Sequence, residues 1–424
     1  MYYKKGEYID LRYRPTSKDL IAEYYVEPNR IDLKSVANHL AAESSIGTWT
    51  TISTMEPSIS KKLKPSVYSI NHKKNIVKIA YPEELFERGN MPQILSSIAG
   101  NIYGMKAVKR LKLLDIGFTK SLVKSFKGPK FGIGGVRRIA GVKKNPLIGT
   151  IVKPKVGLDS NKHAEVAFNA WVGGLNCVKD DENLTNQTFN RFEKRIELTE
   201  KARLKAEKVT GEKKIYMPNI TAESKEMLRR MKFVEKHHGN YIMVDILTVG
   251  FSGLQTVRNE TKLPIHAHRA MHAALTKLNH GMSMLTIAKI ARLIGVDTLH
   301  IGTAYVGKMS ESKKSTLDIE DEIEHNFIRN KGEVLKQNWY SKKPVLAVAS
   351  GGLHPGHIPQ LVKLMGNDIV IQAGGGVHGH PQGTLIGAKA MRQALEGTMK
   401  KIPLEKYSIT NPELAVALKK FRGI

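Results

Sequence analysis

The sequence is poor in cysteine and in acidic residues, and it contains no long uninterrupted apolar run. A single cysteine, Cys177, among 424 residues excludes any intrachain disulfide. It fits a reducing compartment, so a soluble cytoplasmic protein is expected. Lys or Arg breaks every long apolar stretch, which leaves nothing fit to span a membrane. The start, Met1-Tyr2-Tyr3-Lys4-Lys5-Gly6-Glu7, lacks the apolar centre of a signal peptide. Asp and Glu number 39 against 67 Lys and Arg, a formal net charge of +28. The basic residues are scattered, with no run of five or more, no zinc-finger spacing and no RNA-binding aromatic motif. Nucleic acid is therefore not expected as the main partner. Part of the surplus suits anionic substrates, by steering and by direct contact.

Apolar residues make up 41% of the chain, enough for a real core, and the length suits two domains. Residues 1–130 read as an α+β amino-terminal domain. Strands are expected at 10–13, 20–26, 76–81 and 111–118, and helices at 33–43 and 91–100. Lys127-Gly128-Pro129-Lys130 reads as a linker. Residues 131–424 read differently. Short β-branched or apolar runs at 147–152, 175–179, 215–218, 241–247, 263–268, 298–302, 345–350 and 369–373 alternate with helical patterns. Ser160 is a candidate cap. The helical stretches 186–209, 223–238 and 357–365 run into Gly211, Gly239 and Gly366, the expected stop signals. Eight strand–helix units over about 270 residues make an α/β fold, a (β/α)8 TIM barrel. A doubly wound open sheet is the structural alternative.

The polar residues gather where such barrels hold their active sites, at the carboxyl ends of strands. Lys153 and Lys155 follow the first run; Lys179, Asp181 and Glu182 end or follow the second. His266, His268, Arg269 and His272 cluster at the fifth, and His300 lies at the sixth. Ser350-Gly351-Gly352 and Gly374-Gly375-Gly376 follow the last two. Asp181 and Glu182 are hard oxygen ligands suited to Mg2+. By strand alternation Lys179 shares Asp181's side, and a cation would repel its ammonium. It fits a metal centre only if its charge is removed, as carbamylation by CO2 would do. A lysine merely paired with acidic neighbours is the plain alternative. The glycine runs suit a phosphate. Zinc at His266, His268 and His272 lacks a matching carboxylate or cysteine. Acid/base work by His268, with Arg269 for an anion, fits better, and His266 reads equally as a packed structural residue. Gly302-Thr303-Ala304-Tyr305-Val306-Gly307-Lys308 is no Walker loop; a lid carrying a cation fits it. Trp49 and Tyr305 alone read as packing residues.

Taken together these motifs resemble the large subunit of ribulose-1,5-bisphosphate carboxylase/oxygenase, the rubisco family, over nearly the whole chain. The resemblance rests on Glu43-Ser44-Ser45-Ile46-Gly47-Thr48-Trp49-Thr50, Gly100-Asn101, Lys153-Pro154-Lys155, Gly173-Gly174 through Asn183, 266–272, Gly307-Lys308, Ser350-Gly351-Gly352 and Gln372 to Gly376. Length and the phrase Gly149-Thr150-Ile151-Val152-Lys153 look most like the archaeal form III group.

The resemblance implies roles. Lys179 would be the carbamylated lysine, holding Mg2+ with Asp181 and Glu182, and Asp180 would stand behind them. Lys153 and His268 would be acid/base groups, and Lys308 would meet the new carboxylate. Lys155, Arg269, His300, Ser350, Gly351, Gly352, Gln372, Ala373, Gly374 and Gly375 would bind the bisphosphate. Glu43, Thr48, Trp49 and Asn101 would complete the site of a partner subunit. That implies a homodimer or a ring of dimers, with no small subunit. The implied reaction adds CO2, or O2, to ribulose 1,5-bisphosphate; carboxylation gives two 3-phosphoglycerates. Nucleotide (AMP) salvage is the implied setting. Plant-type members carry Thr where Ile151 stands and have a lid one residue shorter, which leaves rate and selectivity open. Two rival readings of the sequence are a rubisco-like enolase or isomerase of sulfur salvage, and a basic nucleic-acid-binding protein.

Overall fold

The computed structural model describes residues 6–50, 52–308 and 311–423. They form two compact units that interleave along the chain. The first gathers Met1–Lys127, Met271–Leu293 and His325–Lys342; the second gathers Gly128–Ala270, Ile294–Glu324 and Lys343–Ile424.

In the first unit β1 (Asp19–Pro28), β2 (Ser66–Asn71), β3 (Ile76–Pro82) and β4 (Val108–Gly117) make an antiparallel sheet. Its order is β4-β1-β3-β2, and the short strand Gly281–Met282 adds in parallel beside β4. The helix Leu33–Glu43 lies where its apolar spacing predicts. Asp32 caps it by accepting from Ser35 N at 3.0 Å. Val36 and Leu40 are fully buried, each stabilising the unit by about 1.5–3 kcal/mol. Asp115 on β4 ties in the later segments. It accepts from Leu335 N at 2.7 Å and pairs with the buried Lys289 at 2.7 Å. The strand expected at 10–13 is absent. Asp10 Oδ1 accepts from the amides of Arg12 and Tyr13, so a side-chain turn replaces the ladder.

The second unit is the parallel barrel. Its strands are β5 (Leu147–Ile151), β6 (Cys177–Lys179), β7 (Ile215–Met217), β8 (Ile242–Asp245), β9 (Ile265–His268), β10 (Thr298–His300), β11 (Leu346–Ser350) and β12 (Ile369–Gln372). They run in the order β7-β6-β5-β12-β11-β10-β9-β8. A parallel bridge between Asn219 and Met243 joins the two ends. The strands are buried on both faces, which is why they read as continuous apolar runs. Leu147, Cys177, Ile215, Met217, Tyr241, Met243, Leu346, Val348 and Val370 form one core cluster. The helix Gly132–Ala140 adds Val136 and Ala140 to that cluster at the strand starts.

Two helix ends differ from expectation. Ser160 is the first helical residue rather than the cap. Asp159 caps, accepting from Asn161 N and Lys162 N at 2.9 Å, and Ser160 Oγ turns to Asn190. The helix Ser224–Lys236 stops before Gly239, and His238 takes the left-handed conformation (φ 63°). Gly211 and Gly366 do end their helices.

Candidate active site

Strand register sets the level of each polar group. Lys179 lies beside Ile151 on one side and Met217 on the other. Asp245 pairs with His268, and Ser350 with Gln372. Alternation then turns Lys179 and Asp181 to one side and Asp180 to the other.

Lys179 is buried. Its Nζ donates to Asp180 O at 2.9 Å and lies 3.5 Å from Met243 Sδ and 3.8 Å from Glu182 Oε2. Burial pushes its pKa down, with Lys153 adding to the shift; Glu182, Asp181 and Asp245 oppose it. Lys153 Nζ meets Asp181 Oδ2 at 2.7 Å, and Lys155 approaches Glu182 at 3.6 Å. Burial alone would raise the Glu182 pKa. Lys179 and then His268 outweigh it, holding the carboxyl down to about 2.

Asp180 faces the surrounding helices. Arg195 Nε (3.0 Å), Tyr216 Oη (2.7 Å), His163 Nε2 (3.1 Å) and Asn219 N (3.0 Å) surround its carboxylate. Burial disfavours the charge, yet Arg195 and His163 keep its pKa well below the carboxylate range. Asp180 therefore anchors the strand end from behind.

His268 Nδ1 lies 3.2 Å from both Ala270 N and Asp245 Oδ1, and Nε2 is 3.7 Å from Glu182. The amide demands a bare ring nitrogen and the carboxylate a protonated one. His266 is not a ligand-facing residue of its own. Tyr241 Oη donates to Thr298 Oγ1 (3.3 Å), Thr298 meets His266 Nδ1 (2.8 Å), and His266 Nε2 meets His300 Nε2 (2.9 Å). With Tyr241 donating, the chain of donors runs Tyr241, Thr298, His266, His300 and leaves His300 Nδ1 as an N–H donor. Burial drives both imidazole pKa values well below ordinary, so both rings are neutral. His272 falls in the other compact unit and contacts Thr276.

Arg269 is buried and pairs with Glu311. The loops after β11 and β12 also meet lysines. Lys308 N donates to Gly351 O at 3.3 Å, and a Cβ on Gly352 would lie 2.7 Å from Lys308 Cβ. A Cβ on Gly374 would lie 2.9 Å from Lys153 Cε, so a side chain there would push the flexible end of that lysine aside. Gln372 is wholly buried with Oε1 lacking a hydrogen-bond partner. Ala373 O accepts from Thr150 Oγ1 at 2.7 Å, and His378 Nε2 meets the same hydroxyl at 2.9 Å. Glu43, Thr48, the exposed Trp49 and Asn101 belong to the first unit.

Asp245 and Asn219, at the ends of β8 and β7, escaped the sequence reading. The strand-end rule that found the others points to them too. Glu311, Thr150 and His378 left no comparable signal. Among the described residues no three His, Cys, Asp or Glu side chains converge as metal ligands. The donors at β6 are two carboxylates plus a lysine.

A parallel barrel carrying a lysine–carboxylate centre and glycine loops at its strand ends belongs to the class of (β/α)8 catalytic domains. A model of the ribulose bisphosphate carboxylase large chain, catalytic domain, matches residues 132–421, and the model of its N-terminal domain matches 7–122. The chain belongs to the ribulose bisphosphate carboxylase large-chain family. It is 49% identical to the ribulose bisphosphate carboxylase of Methanosarcina mazei, over 98% of this chain and 99% of that protein. It is 50% identical to that of Methanocaldococcus jannaschii, over 97% and 99%. Among solved structures it resembles the dimeric archaeal rubisco of Hyperthermus butylicus (44% identity, TM-score 0.93, 99% of both chains). It also resembles the octameric, sulfate-bound rubisco of Pyrococcus horikoshii OT3 (43%, 0.92, 99% of this chain and 97% of that one). Among the described residues no helix is long and apolar enough to cross a membrane.

Proposed function

We propose that this protein is a Mg2+-dependent ribulose-1,5-bisphosphate carboxylase/oxygenase that adds CO2, or O2, to its substrate and works in nucleotide (AMP) salvage. The observation that carries the reading is Lys179: a buried amine with a lowered pKa, beside two carboxylates, at a strand end. Neutral amine is the form that attacks CO2, and the carbamate so formed is an oxygen donor. Together with Asp181 and Glu182 it makes a hard anionic donor set that fits Mg2+. When bound, the metal supplies positive charge for an anionic oxygen of the reacting sugar.

The chain's own groups do the remaining work. Lys153, held by Asp181, carries a proton near C2 of the sugar, and His268 moves a second one between its Asp245 and Glu182 sides. Removal of the C3 proton gives an enediolate that attacks CO2; hydration and C–C cleavage then give two 3-phosphoglycerates. Lys308 brings a cation to the new carboxylate. Lys155, Arg269, His300 and Ser350, with the backbone of Gly351, Gly352, Ala373, Gly374 and Gly375, bind the phosphates and hydroxyls. Gln372, buried with an Oε1 that lacks a hydrogen-bond partner, belongs to the same binding set.

The active unit is at least a homodimer, in which Glu43, Thr48, Trp49 and Asn101 complete a partner's site, with no small subunit. Dimeric and octameric solved relatives support an oligomer. A division into an amino-terminal domain, 1–130, and a catalytic domain, 131–424, is part of the proposal; the family-model matches at 7–122 and 132–421 support it. One buried free cysteine fits work in the cytoplasm.

Purified protein with bicarbonate, Mg2+ and ribulose 1,5-bisphosphate should release 3-phosphoglycerate under anaerobic conditions, and Lys179→Ala should abolish it. A folded protein that yields none would refute the proposal.

A further inference from the structure

We infer that Glu311 sets the affinity of the Arg269 anion site, because its carboxylate occupies the guanidinium that a substrate phosphate needs. The inference rests on the reading of Arg269 as a phosphate ligand. Binding there is then an exchange of one anion for another, not the filling of a waiting cation.

Arg269 follows β9 and its side chain is only 6% exposed, whereas that of Glu311 is 19% exposed. Arg269 Nη2 donates to Glu311 Oε1, and Arg269 Nη1 is buried without a hydrogen-bond partner. The guanidinium fork is therefore half used. A phosphate, with several terminal oxygens and a second negative charge, can engage both nitrogens where this carboxylate engages one.

Local geometry builds the pair. Ser312 Oγ accepts from Ser315 N at 3.1 Å and caps the helix Lys313–Glu324, which fixes the backbone next to Glu311. Its side chain turns back over Gly302 (φ +108°). A Cβ there would lie 3.4 Å from Glu311 Cδ and 3.5 Å from Arg269 Nη2. Thr316 Oγ1, 3.3 Å from the same point, is buried without a hydrogen-bond partner. The neighbourhood thus holds two unused polar groups, both suited to a further oxygen.

A buried guanidinium left without a counter-charge is strongly unfavourable. Glu311 consequently leaves as phosphate arrives, and it is the partner with a route to water.

The test is calorimetric titration of the full-length protein with inorganic phosphate. Glu311→Gln and Glu311→Ala should each bind phosphate about tenfold more tightly, as expected if one-tenth of the molecules are otherwise competent. The gain should vanish in Glu311→Gln combined with Arg269→Ala. Unchanged or weaker binding by both Glu311 variants overturns the inference. If Arg269→Ala weakens phosphate while the Glu311 variants gain nothing, only this inference falls. If Arg269→Ala binds phosphate like the parent, the assignment of Arg269 falls with it.

Discussion

Lys153 Nζ and Asp181 Oδ2 stand 2.7 Å apart and tie the end of β5 to the end of β6. The lysine side chain is 26% exposed and the carboxylate 1%, so the cation reaches in from the open side. Lys153→Met should lower kcat by about 100- to 10,000-fold, the usual worth of a placed acid/base group. Mg2+ affinity should hold or rise, since the ammonium competes with a metal for the same oxygen. Steady-state kinetics and Mg2+ titration read the two effects separately. Near-normal turnover would remove Lys153 from its role.

Lys179 should form its carbamate at lower pH than an ordinary lysine with a pKa near ~10.4. Burial, the largest cause, depresses its pKa in the folded protein. Folded chains therefore hold this proton more weakly than unfolded ones. The stability penalty is full below the folded pKa and is relieved as pH rises from there toward the unfolded value. With 13C-bicarbonate, a carbamate resonance should grow with pH and be missing in Lys179→Met. A resonance that persists in that variant would assign it to another lysine.

Asp180→Asn should destabilise the barrel by about 3–5 kcal/mol, because Arg195 keeps a buried charge without its carboxylate. The parent's Asp180 pKa is depressed, so its contribution is present above the unfolded pKa of ~3.9 and lost as pH falls through the folded value. Urea unfolding of both proteins at neutral and acidic pH measures this. Equal midpoints would mean that the cluster around Asp180 is not what holds β6 in place.

His266→Phe breaks the donor chain that orients His300. KM for the bisphosphate should rise about tenfold, the worth of one hydrogen bond to a charged group, with a smaller change in kcat. In the parent, neither His266 nor His300 should titrate near ~6.5. Their folded pKa values are depressed by burial, so their contribution to stability is full above ~6.5 and lost as pH falls from there. Imidazole NMR resonances checked against pH decide it; a normal titration for both rings would refute the burial argument.

All eight barrel strands were legible because each is a short β-branched or apolar run buried on both faces and closed by a helix signal. Lys179 and its neighbours were legible because a charge at the end of such a run has little other reason to be there. The return of Met271–Leu293 and His325–Lys342 to the first unit was not. A two-residue strand such as Gly281–Met282 has no periodicity, and its pairing with Lys112 and Leu113 is a tertiary event. The turn at Asp10 was misread because the alternation there did not weigh a side chain that captures two amides. Glu311 was hidden for a similar reason: nothing in Ser310-Glu311-Ser312 says that the carboxylate folds back on Arg269.

Asp115 accepts its amide bond from Leu335, 220 residues further along. Synthesis runs in one direction, at about 5–20 residues per second, so that bond has no donor for roughly 10–45 s after Asp115 is made. Lys289 and the strand Gly281–Met282 also come late. Until then β4 presents a bare edge, and Asp115 lacks the cation that later covers it. The first unit, although encoded first, is completed only after β10 of the second has been made. A nascent chain stalled before residue 271 would carry an open sheet edge, and that makes this interval the one in which the protein most needs protection from self-association.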